Sequence, residues 1–197
     1  MSCLFRMKYA KQICDIYGIK TKSIIGLTCM RKVMDTEREA TDTYAADAKT
    51  EFDLMRAAFL NVFGKSPLEY KEEYINENLN SSWAREVYQI HDMSITLLAA
   101  PSEEPEKRRA NTSDTFAFFM NRLQVENKSN ILLITSQIYV PYQQLEAVRM
   151  LGIPYKHSLE TIGFPNEWSA SLHGLQKPEN YLQEIRSVLQ SAGRLII

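Results

Sequence analysis

No glycine-rich loop occurs in this chain. Its seven glycines are scattered, and neither GxGxxG nor GxxxxGK[ST] is present, so the usual backbone cradles for dinucleotides and triphosphates are missing. GxSxG is absent as well, which removes the nucleophile elbow of the α/β-hydrolases. Cysteine is sparse and unpaired: Cys3, Cys14 and Cys29 show no CxxC spacing. Structural zinc takes four close Cys/His ligands, so no metal site is expected, and reduced thiols suit a cytoplasmic protein. No apolar run approaches the ~20 residues of a membrane span, and "MSCLFRMKYAKQIC" lacks the apolar core and small-residue cleavage site of a signal peptide. A cytoplasmic protein with no membrane partner is expected. Charge of one sign is lacking too. Lys and Arg total 23 against 24 Asp and Glu, a net charge of -1. Binding a phosphate backbone needs clustered cations, so no nucleic-acid partner is expected.

What is present is alternation. Four short apolar runs stand out: "SIIGLT" (Ser23–Thr28), "SITLLAA" (Ser94–Ala100), "NILLIT" (Asn130–Thr135) and, more weakly, "IPYKHS" (Ile153–Ser158). Being continuous rather than alternating, they suit parallel strands covered on both faces. Helical stripes lie between and after them: Met7, Ala10, Cys14 and Tyr17; Phe52, Met55, Phe59 and Val62; Phe116, Phe119, Met120 and Leu123; Leu145, Val148 and Leu151; and Tyr181, Ile185, Val188 and Leu189. All are read as core-facing. The pattern predicts an α/β fold, a three-layer Rossmann-like sandwich with a mainly parallel sheet of about four to five strands. Residues 1–197 read as a single α/β domain. The polar stretch at about 65–92 is too long for a simple connection and is expected to be a helical insertion.

In a parallel sheet, ligands bind beyond the carboxyl ends of the strands. Hydroxyls, arginines and carboxylates gather there, in "LTCMRKVMDTERE", "PSEEPEKRRANTSDT" and "TSQIYVPY". Within "RRANTSDTFAFF", Asn111 followed by Asp114 forms a capping box. A helix N-terminus flanked by Arg108 and Arg109 is equally an anion cradle; pairing of both arginines with Glu103, Glu104 and Glu106 is the alternative. Thr50 caps a helix with Asp53 at its third position, which turns Glu51 towards the same edge. Thr135 and Ser136 read as donors or caps. His91, His157 and His173 are scattered, and no triad order can be argued from them.

These segments resemble the YdcF/SanA/ElyC-like family of α/β proteins. Arg6 sits where the family has its first arginine, and "GLTCMRK" is similar to the family's "SGG" strand end. "KTEFDLM" is similar to its "sEa" helix start, "RRANTSDTFAF" to its "nT" helix start, and "ILLITSQIYVPYQQLEAVRMLGI" to its last strand and helix. The order matches over most of the chain outside Lys65–Asp92. Cys29 and Met30 replace paired glycines, Tyr139 and Tyr142 replace a His and an Arg, and nothing before Arg6 supplies the leading glycine-terminated strand. Loss of that strand would expose a sheet edge, to be covered by the tail Gly193–Ile197 or by a second copy in a homo-oligomer.

The expected function is that of a small-molecule-binding α/β protein taking an anionic or nucleotide-like ligand. S-adenosylmethionine is the cofactor that the resemblance implies. Arg31 and Arg109 are expected to meet anionic groups. Thr28, Asn111, Thr112, Thr135 and Ser136 would supply hydrogen bonds, Glu51 would meet a polar or cationic group, and Tyr139 and Tyr142 would form a stacking wall. If the protein is an enzyme, its class is transfer or hydrolysis on a phosphate- or sulfonium-bearing substrate. The competing reading is a catalytically degenerate member serving as a structural or protein-interaction module.

Overall fold

Two hydrogen-bonded sheets, rather than one, organise the chain. The computed structural model describes residues 2–123, 125–168 and 176–196, and these divide into two compact units, Cys3–Phe119 and Met120–Ile197. The first opens with helix α1 (Ser2–Tyr17) and strand β1 (Ser23–Cys29), followed by α2 (Asp35–Ala45) and α3 (Glu51–Phe63). Strands β2 (Leu68–Tyr74), β3 (Trp83–Ile90) and β4 (Met93–Ala100) come next, then α4 (Thr112–Arg122).

The sheet order is β1-β4-β3-β2. Only β1 and β4 run parallel, whereas β4 with β3 and β3 with β2 are antiparallel. The expected mainly parallel sheet is therefore corrected to a mixed one. A continuous apolar run reports burial on both faces, not the direction of the neighbour. β4 is buried along its last six residues because it is central, flanked by β1 and β3.

The polar stretch read as a helical insertion holds β2, a short 3₁₀ turn and β3 instead. β3 does alternate, with Ala84, Glu86 and Tyr88 buried, but a charged residue on the inner face disguises the period. Arg56 makes that burial tolerable. Its guanidinium grips Glu86 at 2.9 and 2.7 Å and reaches Asp53 at 2.8 Å, while Tyr88 donates to Glu86 at 2.7 Å. Burial alone would raise the Glu86 carboxyl, yet Arg56 and Tyr88 hold it below its ordinary range. β2 is an exposed edge strand carrying Glu69, Lys71, Glu72 and Glu73, charges that discourage further pairing. The tight turn between β3 and β4 places His91 at φ 51°.

The core of this unit lies between the sheet and the helices. Phe52, Leu54, Met55, Ala58 and Phe59 of α3 are buried with Cys3, Leu4 and Met7 of α1 and Ile95 and Leu97 of β4. Helix α3 starts where expected: Thr50 accepts from Asp53 N–H at 3.2 Å, and Asp53 accepts from Thr50 N–H at 2.9 Å. It stops at Gly64, whose φ of 79° favours glycine. The expected α1 stripe is only partly inward, since Tyr17 is exposed.

The second unit holds the parallel pair β5 (Asn130–Ser136) and β6 (Ser158–Phe164), joined through a 3₁₀ turn and α5 (Val140–Ala147). A π turn (Val148–Gly152) and a helical turn (Ile153–Tyr155) follow α5. The run "IPYKHS" is thus not a strand: Lys156 takes a left-handed φ of 59°, and β6 begins only at Ser158. The last helix, α6 (Pro178–Ile196), packs on α5 through its small polar side. Ser191 donates to the fully buried Glu146 at 2.5 Å. The stripe read as core faces outward, with Tyr181, Ile185 and Leu189 exposed. Among the described residues, no helix is long and apolar enough to cross a membrane.

Candidate functional site

The parallel pair β1–β4 decides where polar side chains gather. Cys29 is opposite Ala100 at the end of the register, so residues 30–34 and 101–111 leave the sheet along one edge. Helix α3 is clasped to that edge by its first turn. Glu51 N–H donates to Arg31 O at 2.9 Å, and Lys32 bridges Thr50. This backbone clasp sets the Glu51 carboxylate beside Cys29 and Arg31. Its Oε2 accepts from the Cys29 thiol at 3.3 Å and lies 3.2 Å from Arg31 Nε. The terminal nitrogens of Arg31 meet both oxygens of Glu37 at 2.7 Å each. Glu37 also accepts Met34 N–H at 2.9 Å, which satisfies a free donor at the start of α2.

The electrostatics follow from these contacts. Hydrogen bonds from Arg31 hold the Glu37 carboxyl down to about 2, and Glu37 in turn raises Arg31. Burial, and then the charge of Glu51, push the Cys29 thiol up to about 12. Burial likewise lifts Cys3, on α1, to about 11. Both thiols are protonated at neutral pH and so are poor nucleophiles. Glu51 Oε1, in contrast, has no partner among the described residues, and it is available to accept from a ligand.

The expected site residues separate into groups. Thr28 is buried with its hydroxyl 3.5 Å from Cys29 O, a weak contact. Arg31 and Glu51 do come together, but Arg31 is matched by two acids rather than open to an anion. Asn111 is committed to its helix: it accepts Asp114 N–H at 3.0 Å, while Asp114 accepts Asn111 N–H at 2.9 Å. Arg108 bonds Asp114 and pairs with Glu104 at 3.1 Å, as its ion-pair alternative anticipates. Arg109 is exposed and has no side-chain partner among the described residues, and its charge reaches Cys29. Thr112 opens α4 beside it.

Thr135, Ser136, Tyr139 and Tyr142 belong to the second unit. Thr135 is fully buried there with an unpartnered hydroxyl. It pairs with Gly163, where a Cβ would fall 2.5 Å from Gln137 Cα. His91 serves the β3–β4 turn. His157 accepts Ser129 N–H at 3.1 Å, and burial lowers its pKa. His173 lies outside the described residues. Sequence reasoning missed Glu37, six residues from Arg31 on a different element. The acid three residues after Met34 was the available signal, but it spoke of capping rather than of a site.

Three curated mycobacterial proteins are similar to this chain: "Uncharacterized protein Rv3785" and "Uncharacterized protein MT3893" of Mycobacterium tuberculosis, and "Uncharacterized protein Mb3814" of Mycobacterium bovis. Each is 34% identical over 203 residues, a match covering 99% of this chain and 56% of the relative. The chain thus spans about half the length of the curated relatives it matches. No family model matches the chain, and no solved structure does.

A groove of about 450 Å³ runs beside the C-terminal turns of α1, lined by Lys8, Lys11 and Asn61 among others. It is open, and Lys11 is already paired with Asp15. The half-buried polar cluster at the end of β1 has the stronger chemistry.

Proposed function

We propose that the edge beyond β1 and β4 binds a small anionic or nucleotide-like molecule, and that the chain is a divergent relative of the YdcF/SanA/ElyC-like proteins acting in the cytoplasm. The observation carrying this reading is the convergence of Cys29, Arg31, Glu37 and Glu51 on one strand end, with the unpaired Arg109 close enough for its charge to bear on Cys29. Glu51 Oε1 accepts from a donor on the ligand, and Arg109 attracts its anionic group. S-adenosylmethionine, with a carboxylate and a sulfonium, is one compound of this description.

The test is to denature the purified protein and examine the released small molecules by mass spectrometry, beside Arg109→Ala and Glu51→Gln variants. A phosphate-, carboxylate- or sulfonium-bearing compound released from the wild type and absent from both variants is the expected result. Empty wild-type protein, with no thermal shift on adding nucleotides or S-adenosylmethionine, counts against the reading. One observation favours the alternative of a non-catalytic interaction module: α6 presents Leu182, Ile185 and Leu189 outward. Recovery of a protein complex that is lost on Leu182→Ser, Leu189→Ser would favour that alternative.

A further inference from the structure

At the amino end of β1, opposite the candidate site, apolar side chains stand in water. Ile16 and Tyr17 close α1 at 62% and 73% exposed, and Ile19 follows them, exposed as well. The groove lined by Ile16, Asn61 and Val62 joins this end of α1 to the end of α3, where Leu60 is exposed. The tip is fixed by its backbone. Ile19 N–H donates to Cys14 O at 3.1 Å across Gly18, whose φ of 59° favours glycine. Ser94 N–H then donates to Lys22 O at 3.1 Å, which ties the chain to β4. An apolar surface held ready in this way loses little freedom on binding.

Cations surround the tip. Residues 1–22 carry five Lys and Arg against a single acid, Asp15, in a chain whose net charge is -1. Asp15 is taken by Lys11 at 2.5 Å. Lys8, Lys20 and Lys22 are exposed and have no ion pair among the described residues. The absence of a membrane partner was expected from the lack of a spanning segment, which says nothing of a charged surface patch. The near-neutral total conceals the segregation.

Cations at a helix C-terminus complement its dipole, but that leaves Ile16, Tyr17 and Ile19 unexplained. A nucleic-acid backbone would engage the lysines and give the aliphatic groups no role. An anionic bilayer surface uses both: apolar groups enter the headgroup layer, tyrosine favours that depth, and lysines meet the lipid phosphates. We propose that this end of the first unit docks on an anionic lipid surface, with Ile16, Tyr17 and Ile19 inserted and Lys8, Lys20 and Lys22 around them. The carboxyl end of β1, with Arg31 and Glu51, then faces the water.

The test is sedimentation of the intact chain with vesicles, made either of equal parts phosphatidylcholine and phosphatidylglycerol or of phosphatidylcholine alone. Binding to the mixed vesicles only, falling as salt is raised, is the expected result. Lys20→Gln, Lys22→Gln should weaken it by roughly 10- to 30-fold, and Ile16→Ser, Tyr17→Ser by roughly 10-fold. All four side chains are exposed, so both variants should melt as the wild type does. Leu182→Ser, Leu189→Ser, on the exposed apolar face of α6, should leave vesicle binding unchanged. Loss of binding with that variant and not with the tip variants would move the docking face to α6 and overturn the assignment. Equal binding to neutral vesicles, or binding to neither kind, would overturn it too. Retention by single-stranded RNA without vesicle binding would give the lysines to a nucleic acid and reject the lipid surface.

Discussion

Helices α3 and α6 carry apolar stripes that look alike in sequence, and the structure treats them oppositely. On α3, Phe52, Met55 and Phe59 are at most 2% exposed, whereas on α6 Ile185 and Leu189 are 56% and 68% exposed. The difference lies in the opposite face of each helix. Beyond its stripe, α3 offers Glu51, Asp53 and Arg56, which bond outward to Cys29, Thr50 and Glu86. Helix α6 instead offers Ser191, buried against α5 and donating to the buried Glu146. A buried carboxylate demands its donors, so α6 turns its serine side inward and leaves its leucines outside. Periodicity says that a helix has two faces; it does not say which one is buried.

Substitutions can break or sharpen this contrast. The largest effect is expected at Phe59, fully buried with its ring 4.3 Å from that of Tyr88. Phe59→Ala should cost about 3–5 kcal/mol in urea unfolding, whereas Leu189→Ala should stay within about 0.5 kcal/mol. Equal costs would mean that the α6 stripe is covered in solution.

Next comes the buried acid that disguises β3. Glu86→Gln leaves Arg56 facing a neutral partner and should cost about 3 kcal/mol, measured the same way. A neutral outcome would show that the Arg56–Asp53 contact suffices to hold the guanidinium.

A smaller, pH-dependent loss should follow from Glu37. Its carboxyl is held down to about 2 in the folded chain, so the Arg31 pair contributes fully above the ordinary glutamate range and is lost as pH falls towards 2. Denaturation series at pH 7, 5 and 3 should show the decline, and Glu37→Gln should flatten it. Smallest of the set, Asn111→Ala should cost about 1 kcal/mol through the lost cap of α4. Thermal melts compared with those of Arg109→Ala, which should leave stability unchanged, check it.

The legible parts of the molecule were local ones. The caps at Thr50 and Asn111 could be read because a side-chain acceptor and an acid three residues later are enough to specify them. Three strands, β1, β4 and β5, could be read because each is an unbroken apolar run. β2 could not, since Glu72 breaks its one apolar face of Leu68, Tyr70 and Tyr74 and the strand is exposed, and β3 could not, since Glu86 occupies an inner position whose partner lies thirty residues away. β6 escaped because Glu160 and Gly163 interrupt its run, while the apolar Ile153 upstream drew attention to a helical turn. At the candidate site, the strand-end rule found Arg31 and Glu51. It could not find that Arg31 is neutralised, because Glu37 reaches it from helix α2. Nor could it show that Thr135, Ser136, Tyr139 and Tyr142 belong to a different unit.

The register of β1 also bears on how the chain is made. Among the described residues β4 is its only strand partner, and two helices and two strands are synthesised between them. β2, β3 and β4 close on one another through short connections, which form early at small entropic cost. β1 has no such neighbour. On the ribosome it emerges before the other three strands of its sheet, a bare strand until the meander that it completes has been translated.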